Sequence, residues 1–256
     1  MRIALIQSDL YWEDKSANIF QFEEKIWKIE KQVDLIVLPE MFTTGFSMNA
    51  SSLAEPMNLT TQKWMKQMAG QTNAAVCGSF IVKENYQYFN RLLWVEPDGN
   101  FKSYDKKHLF THANEHQTYT SGTAQLMVEW RGWTFKPMIC YDLRFPMWSR
   151  NKKEYSYDCL VYVANWPQKR AAAWNTLLKA RAIENASYCI GVNRVGHDGH
   201  HLYHSGDTSA YDFAGNQLAY SRDKQETLLV HLDKSLLEQY RKDFPVLDDA
   251  DDFEIR

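Results

Sequence analysis

The strongest constraint on the fold is the alternation of short apolar runs with amphipathic stretches along the first half of the chain. RIALIQ (2–7) reads as a strand, and residues 15–31 read as a helix with Ile19, Phe22, Ile26 and Ile29 near helical spacing. DLIVLPE (34–40) follows as a second strand, without the polar alternation of a half-exposed one. Such a run suits a strand covered on both faces, as in a parallel sheet flanked by other layers. A second helix is predicted over 58–69, then strands over 74–82 and 88–96. PDGN (97–100) followed by FKSYDK (101–106) is a hairpin signal, so antiparallel pairing joins the parallel and the sheet should be mixed. Further strands are predicted over 133–140, where Pro137 suggests an irregularity, and over 158–166, 187–196, 208–221 with a turn at 214–216, and 226–233. Helices are predicted over 171–187 and 235–242, before an acidic tail. No linker, repeat or low-complexity stretch divides residues 1–256, so one α/β domain is expected.

Composition removes several classes of function. Hydrophobic residues make up 45% of the 256, enough for a sizeable core, and the net charge of −3 offers no basic field to recruit nucleic acid. No stretch approaches the roughly 18 apolar residues of a membrane span. The apolar run at the N-terminus is too short for a secretion signal and meets acidic residues at once. Cys77, Cys140, Cys159 and Cys189 are widely spaced, which favours a reduced, cytoplasmic protein over a disulfide framework.

Three segments end on, or pass, a reactive side chain: DLIVLPE ends on Glu40, FKSYDKKHLF passes Lys106 and Lys107, and FKPMIC ends on Cys140. Sites in α/β sheets form at the carboxyl ends of strands, so a carboxylate, an ammonium and a thiol converge if these strands are neighbours. The set has a chemical logic. A carboxylate can take the thiol proton and later give it to a leaving group. An ammonium favours the thiolate and can hold an oxyanion beside a backbone N–H such as that of Tyr141. Strand alternation turns only one of the two lysines inward. Each residue also has a plainer reading: Cys140 as a core residue, Glu40 as a turn residue, both lysines as solvated.

LPEMFTTGF (38–46), YDKKHLF (104–110) and ICYDLRFP (139–146), in that order and at those separations, resemble the signature regions of the nitrilase superfamily, the carbon–nitrogen hydrolases. The resemblance spans essentially the whole chain. It implies a four-layer α-β-β-α sandwich with two mixed sheets, and a catalytic triad of Glu40 (general base and acid), Lys106 and Cys140 (nucleophile), with no cofactor and no metal. Glu115 matches a second glutamate of the family that orients the lysine, substrate or water. Arg144 sits where the family has an arginine and is expected to be a structural ion-pair partner. The run after Glu40, and NWP (165–167), are most similar to the omega-amidase branch, which hydrolyses the terminal amide of short dicarboxylic monoamides such as 2-oxoglutaramate and succinamate. Phe42, Tyr141 and Trp166 are then expected to line the substrate pocket, with ordinary core packing as the alternative for Phe42 and Trp166. The resemblance also implies a homodimer, with 243–256 as a tail that helps pair subunits.

Other classes are weaker. His108, His112 and His116 fall at i, i+4, i+8 and would share a face if helical, but the surrounding residues read as a loop. HDGHHLYH (197–204) reads as a solvated loop. No G-x-S-x-G and no local cysteine-protease signature is present, so a metal-dependent amidohydrolase or a non-enzymatic binding protein is the remaining alternative, alongside a nitrilase or N-carbamoyl amidohydrolase within the same family.

Overall fold

The computed structural model describes residues 1–152 and 156–255; Arg256, the last residue of the expected tail, lies outside them. The first sheet is built from β1 (Arg2–Gln7), β2 (Leu35–Val37), β3 (Ala75–Glu84), β4 (Gln87–Val95), β5 (Phe101–Asp105) and β13 (Glu226–His231). Its order is β13-β1-β2-β3-β4-β5, with β1, β2 and β3 parallel and the other pairs antiparallel. The second holds β6 (Val128–Trp130), β7 (Trp133–Ile139), β8 (Cys159–Ala164), β9 (Tyr188–Asn193), β10 (Val195–His197), β11 (Tyr203–Tyr211) and β12 (Gln217–Arg222). Its order is β10-β11-β9-β8-β7-β6, with β12 also on β11 and with β7, β8 and β9 parallel. Both sheets are mixed, as expected.

Alternation along the first sheet builds the layers. Ile3, Leu5, Leu35, Val37, Leu92 and Trp94 face the second sheet and share one core with Phe135 and Val161. The intervening residues, such as Ala4, Ile6, Ile36, Leu93 and Val95, face the other way, into a core with Phe22, Ile26, Trp64 and Met65 from α1 (Lys15–Trp27) and the long helix at 60–72. The short apolar run of β2 is therefore covered on both faces. The remaining helices are α2 (Ala50–Leu53), α3 (Thr60–Thr72), α4 (Glu115–Thr118), α5 (Pro146–Ser149), α6 (Ala171–Glu184) and α7 (Lys234–Asp243). α6 covers the outer face of the second sheet so closely that a Cβ on Gly191 of β9 would lie 2.4 Å from Leu178 Cδ1.

Several boundaries moved for physical reasons. α1 stops at Trp27 rather than 31, because the chain turns back to β1: Arg2 N–H donates to Asp34 Oδ2 at 2.8 Å and Asp34 N–H to Arg2 O at 2.7 Å. Pro137 does not distort β7. Thr134 N–H points toward the β8 side, at Asp158, so alternation turns position 137 toward β6, whose pairing has already ended at Phe135. The β6 strand and the 203–207 part of β11 were not foreseen, since polar residues interrupt both.

Candidate active site

Each of the three reactive residues sits just past the end of a strand, where regular pairing stops and a turn takes over. Lys106 follows β5 and is anchored by its N–H to Asn90 O at 3.0 Å, while Gly122 N–H donates to Lys106 O at 2.9 Å. Cys140 follows β7 and opens a 3-10 turn, Cys140–Arg144, with a left-handed φ of +44°. That conformation is uncommon for a residue with a side chain. Asp142 holds it in place: one carboxylate oxygen accepts Ile139 N–H at 3.0 Å and Tyr104 O–H at 2.7 Å, and the other accepts His108 N–H at 3.0 Å. A single buried acid thus ties the thiol turn to the lysine loop.

Glu40, Lys106 and Glu115 form a buried cluster. Lys106 Nζ donates to Glu40 Oε1 at 2.8 Å and to Glu115 Oε1 at 3.0 Å. Glu40 is fixed on every side: Asn90 Nδ2 donates to Oε1 at 2.8 Å, Asn165 N–H to Oε2 at 2.8 Å, and Asn165 Nδ2 to the Glu40 carbonyl at 2.5 Å. Glu115 is fully buried at the start of α4, where Phe110 N–H donates to its Oε2 at 2.5 Å. Lys107 turns outward, its ammonium 5.5 Å from the Trp148 ring centroid.

The electrostatics follow from burial and pairing. Burial alone would strip the proton from Lys106, but Glu115 and Glu40 outweigh it and hold the ammonium well above its usual range. Two carboxylates share that ammonium, and at Glu115 burial wins, so its carboxyl is pushed up despite Lys106. Burial pushes the Cys140 thiol well up as well; the adjoining Glu40 carboxylate adds to this and Lys106 opposes it. The ammonium therefore does not leave a resting thiolate, contrary to the simplest reading of the sequence.

A cavity of about 460 Å³ opens onto Cys140 and Lys106 and is walled by Tyr141, Trp166, Phe46 and Phe110. Tyr141 and Trp166 line this cavity. Phe42 does not. It is completely buried on the helix side of the first sheet, with ring centroids 5.5 Å from Phe22 and 5.7 Å from Trp64. Phe46 takes the wall position instead, with the Lys106 ammonium 5.0 Å from its ring centroid. Arg144 is also corrected: it has no ion-pair partner among the described residues, is exposed, lines the cavity and lies 5.1 Å from the Trp166 ring centroid. Arg170, which sequence reasoning missed, lines the same cavity without a carboxylate partner among the described residues, its guanidinium 5.1 Å from the Phe110 ring centroid.

The three spaced histidines do not share a helix face. His108 stacks on Phe145 with centroids 3.7 Å apart, His112 lies in a 3-10 turn and His116 in α4. Asn90, Asn165, Asp142 and Tyr104 were missed at the sequence level. Asn90 and Asn165 carried a signal, a polar residue within or at the end of an otherwise apolar run, as in YFNRLLWVE and CLVYVANW.

Comparison with known proteins places this geometry in context. Residues 2–242 match the family described as carbon–nitrogen hydrolase. The chain is 44% identical to the omega-amidase YafV of Escherichia coli strain K12, covering 100% of this chain and 98% of that protein. It is 32% identical to a 2-oxoglutaramate amidase of Bacillus subtilis strain 168, with 96% of each covered. The crystal structure of XC1258 from Xanthomonas campestris, a CN-hydrolase superfamily protein with an arsenic adduct in its active site, superposes with a TM-score of 0.98 at 40% identity, covering 100% of this chain and 99% of that one. Saccharomyces cerevisiae Nit3, of the nitrilase superfamily, shares the fold with a TM-score of 0.86 at 22% identity, covering 96% and 94%.

Proposed function

The chain belongs to the carbon–nitrogen hydrolase family, and we propose that within it the protein works as an omega-amidase, releasing ammonia from the terminal amide of short dicarboxylic monoamides such as 2-oxoglutaramate and succinamate. The observation that carries the substrate class is the pair of guanidinium groups, Arg144 and Arg170, that line the Cys140 cavity with no ion-pair partner among the described residues, although Asp198 lines the same cavity. A substrate with an amide at one end and a carboxylate at the other meets a nucleophile and a cation in one pocket.

The mechanism uses the chain's own groups. Cys140 Sγ attacks the amide carbon as Glu40 takes the thiol proton, and the carbonyl π electrons move to oxygen. Lys106 Nζ and the Tyr141 N–H hold that oxyanion; the N–H lies in the first turn of a short helix, where backbone donors lack a partner within the helix. Glu40 gives its proton to the nitrogen, the C–N bond breaks and ammonia leaves a thioester on Cys140. Glu40 then takes a proton from water, which attacks the thioester, and returns it to sulfur as the acid departs. Glu115 serves by keeping Lys106 charged and in place.

The test is ammonia release from 2-oxoglutaramate and succinamate. Cys140→Ala is expected to abolish it. Arg144→Gln and Arg170→Gln are expected to raise KM for these anionic amides but not for propionamide, which has no carboxylate. Turnover confined to nitriles or N-carbamoyl amines would replace the substrate class. The same reading includes a reduced cytoplasmic setting, supported by four buried free thiols, and a homodimer, supported by the exposed apolar Leu236, Phe244 and Ile255 toward the C-terminal end. Sedimentation would decide the latter. Among the described residues no helix is long and apolar enough to cross a membrane.

A further inference from the structure

Asn165 holds an acceptor that the other described residues leave unused. Its backbone N–H and its Nδ2 both go to Glu40, to Oε2 at 2.8 Å and to the carbonyl at 2.5 Å. A backbone carbonyl only accepts, so Nδ2 must face Glu40 and Oδ1 must face away from it. That oxygen has no hydrogen-bond partner among the described residues, although Asn165 is only 6% exposed. The residue also lines the cavity that holds Cys140 and Lys106. A buried acceptor without a donor is unfavourable, and the arrangement persists most readily where a ligand brings the donor.

The reacting amide has donors of that kind. Its carbonyl oxygen goes to Lys106 and the Tyr141 N–H, so its nitrogen falls on the Glu40 side, where Asn165 is fastened. A primary amide carries two N–H groups, and Glu40 alone faces it with one free lobe. We propose that Asn165 Oδ1 accepts an N–H of the substrate's amide group and keeps that bond to the nitrogen as it becomes ammonia. Asn165 is then a specificity residue: it selects primary amides over esters and nitriles, which have no N–H to offer. The proposal rests on the reading that the substrate is a primary amide, and it says nothing of the far end of the substrate.

The experiment compares succinamate with monomethyl succinate, which share an acyl group and differ in the leaving group. Asn165→Leu and Asn165→Ala keep the backbone N–H and lose both side-chain polar atoms. Loosening Glu40 affects both substrates; losing Oδ1 affects only the amide. kcat/KM for the amide is expected to fall about ten- to hundredfold further than for the ester. An equal fall for both substrates overturns the proposal. Should both variants fail to melt cooperatively, the wild-type enzyme decides: N,N-dimethylsuccinamate, an amide with no N–H, should be cleaved at least about tenfold less efficiently than succinamate, and equal efficiency overturns the proposal. If succinamate is not a substrate, propionamide and methyl propionate form the same pair, so failure of the dicarboxylic reading is seen separately. Cleavage of nitriles with no cleavage of any primary amide would sink both.

Discussion

Two lysines among the described residues are almost completely buried, and they behave in opposite ways. Lys106, 1% exposed, is clasped by Glu40 and Glu115 and keeps its proton far into alkaline solution. Lys136, 3% exposed, lies on β7 four residues before Cys140, beside the Tyr157 ring, with Gln125 Oε1 at 2.9 Å and no carboxylate within ion-pair distance among the described residues. Burial lowers it to about 8; the charge of Asp142 pulls it up and that of Lys152 pushes it down. Desolvation is the largest influence on both, so the local carboxylates decide the sign. Burial is common to both lysines. Only the neighbours say which of them stays an ammonium at catalytic pH.

Removing the charge from Lys106 probes the first half of this contrast most severely. Lys106→Met deletes an oxyanion donor, which typically costs about 10²–10³ in kcat, and it leaves two buried carboxylates without their cation. Single-turnover assays on the folded fraction should show at least that loss, and near-native turnover would remove Lys106 from the mechanism. Glu115→Gln is the milder step. Losing one charge-assisted hydrogen bond, about 1.5–3 kcal/mol, corresponds to roughly ten- to hundredfold in kcat. A change in KM alone would move Glu115 from lysine support to substrate contact.

Lys136→Met should leave kcat/KM unaltered and act on stability instead. The sign follows from the lowered value. Between pH 8 and 10.5 the unfolded chain binds a proton at Lys136 that the folded chain does not, so wild-type stability gains from this group as pH rises through that window. At about 1.4 kcal/mol per unit, the whole gain is on the order of 3 kcal/mol. Thermal melts from pH 7 to 10.5 should show the variant more stable at pH 7, with that rise flattened. An unchanged pH profile would mean that Lys136 keeps its proton and that the contrast with Lys106 is false.

The legible part of the site was the part set by strand ends. Glu40 and Cys140 each close a run whose apolar pattern is plain, Lys106 follows the second strand of a hairpin signal, and the strand order brings these ends together. The illegible part begins where alternation stops. After Glu40 the chain turns sharply, with Met41 at φ +42° and Gly45 N–H donating to Met41 O at 2.8 Å, so residue parity no longer tells which way a ring points. Phe42 therefore goes under the helices and Phe46 reaches the cavity. Arg144 and Arg170 were hard to read for another reason: an arginine's role depends on which acids are near it, and spacing along the chain does not carry that. Asp142 stood beside the nucleophile in the sequence, yet its four-way hold on Tyr104, Ile139 and His108 joins residues up to 38 apart.

The left-handed backbone at Cys140 has an evolutionary corollary. At φ +44° a glycine is at ease and any side chain is not, so Cys140→Gly should fold at least as well as the natural chain while doing no chemistry. Folding fitness and catalytic fitness pull in opposite directions at this one codon. A lineage released from selection for turnover would have a downhill route away from a thiol at this position.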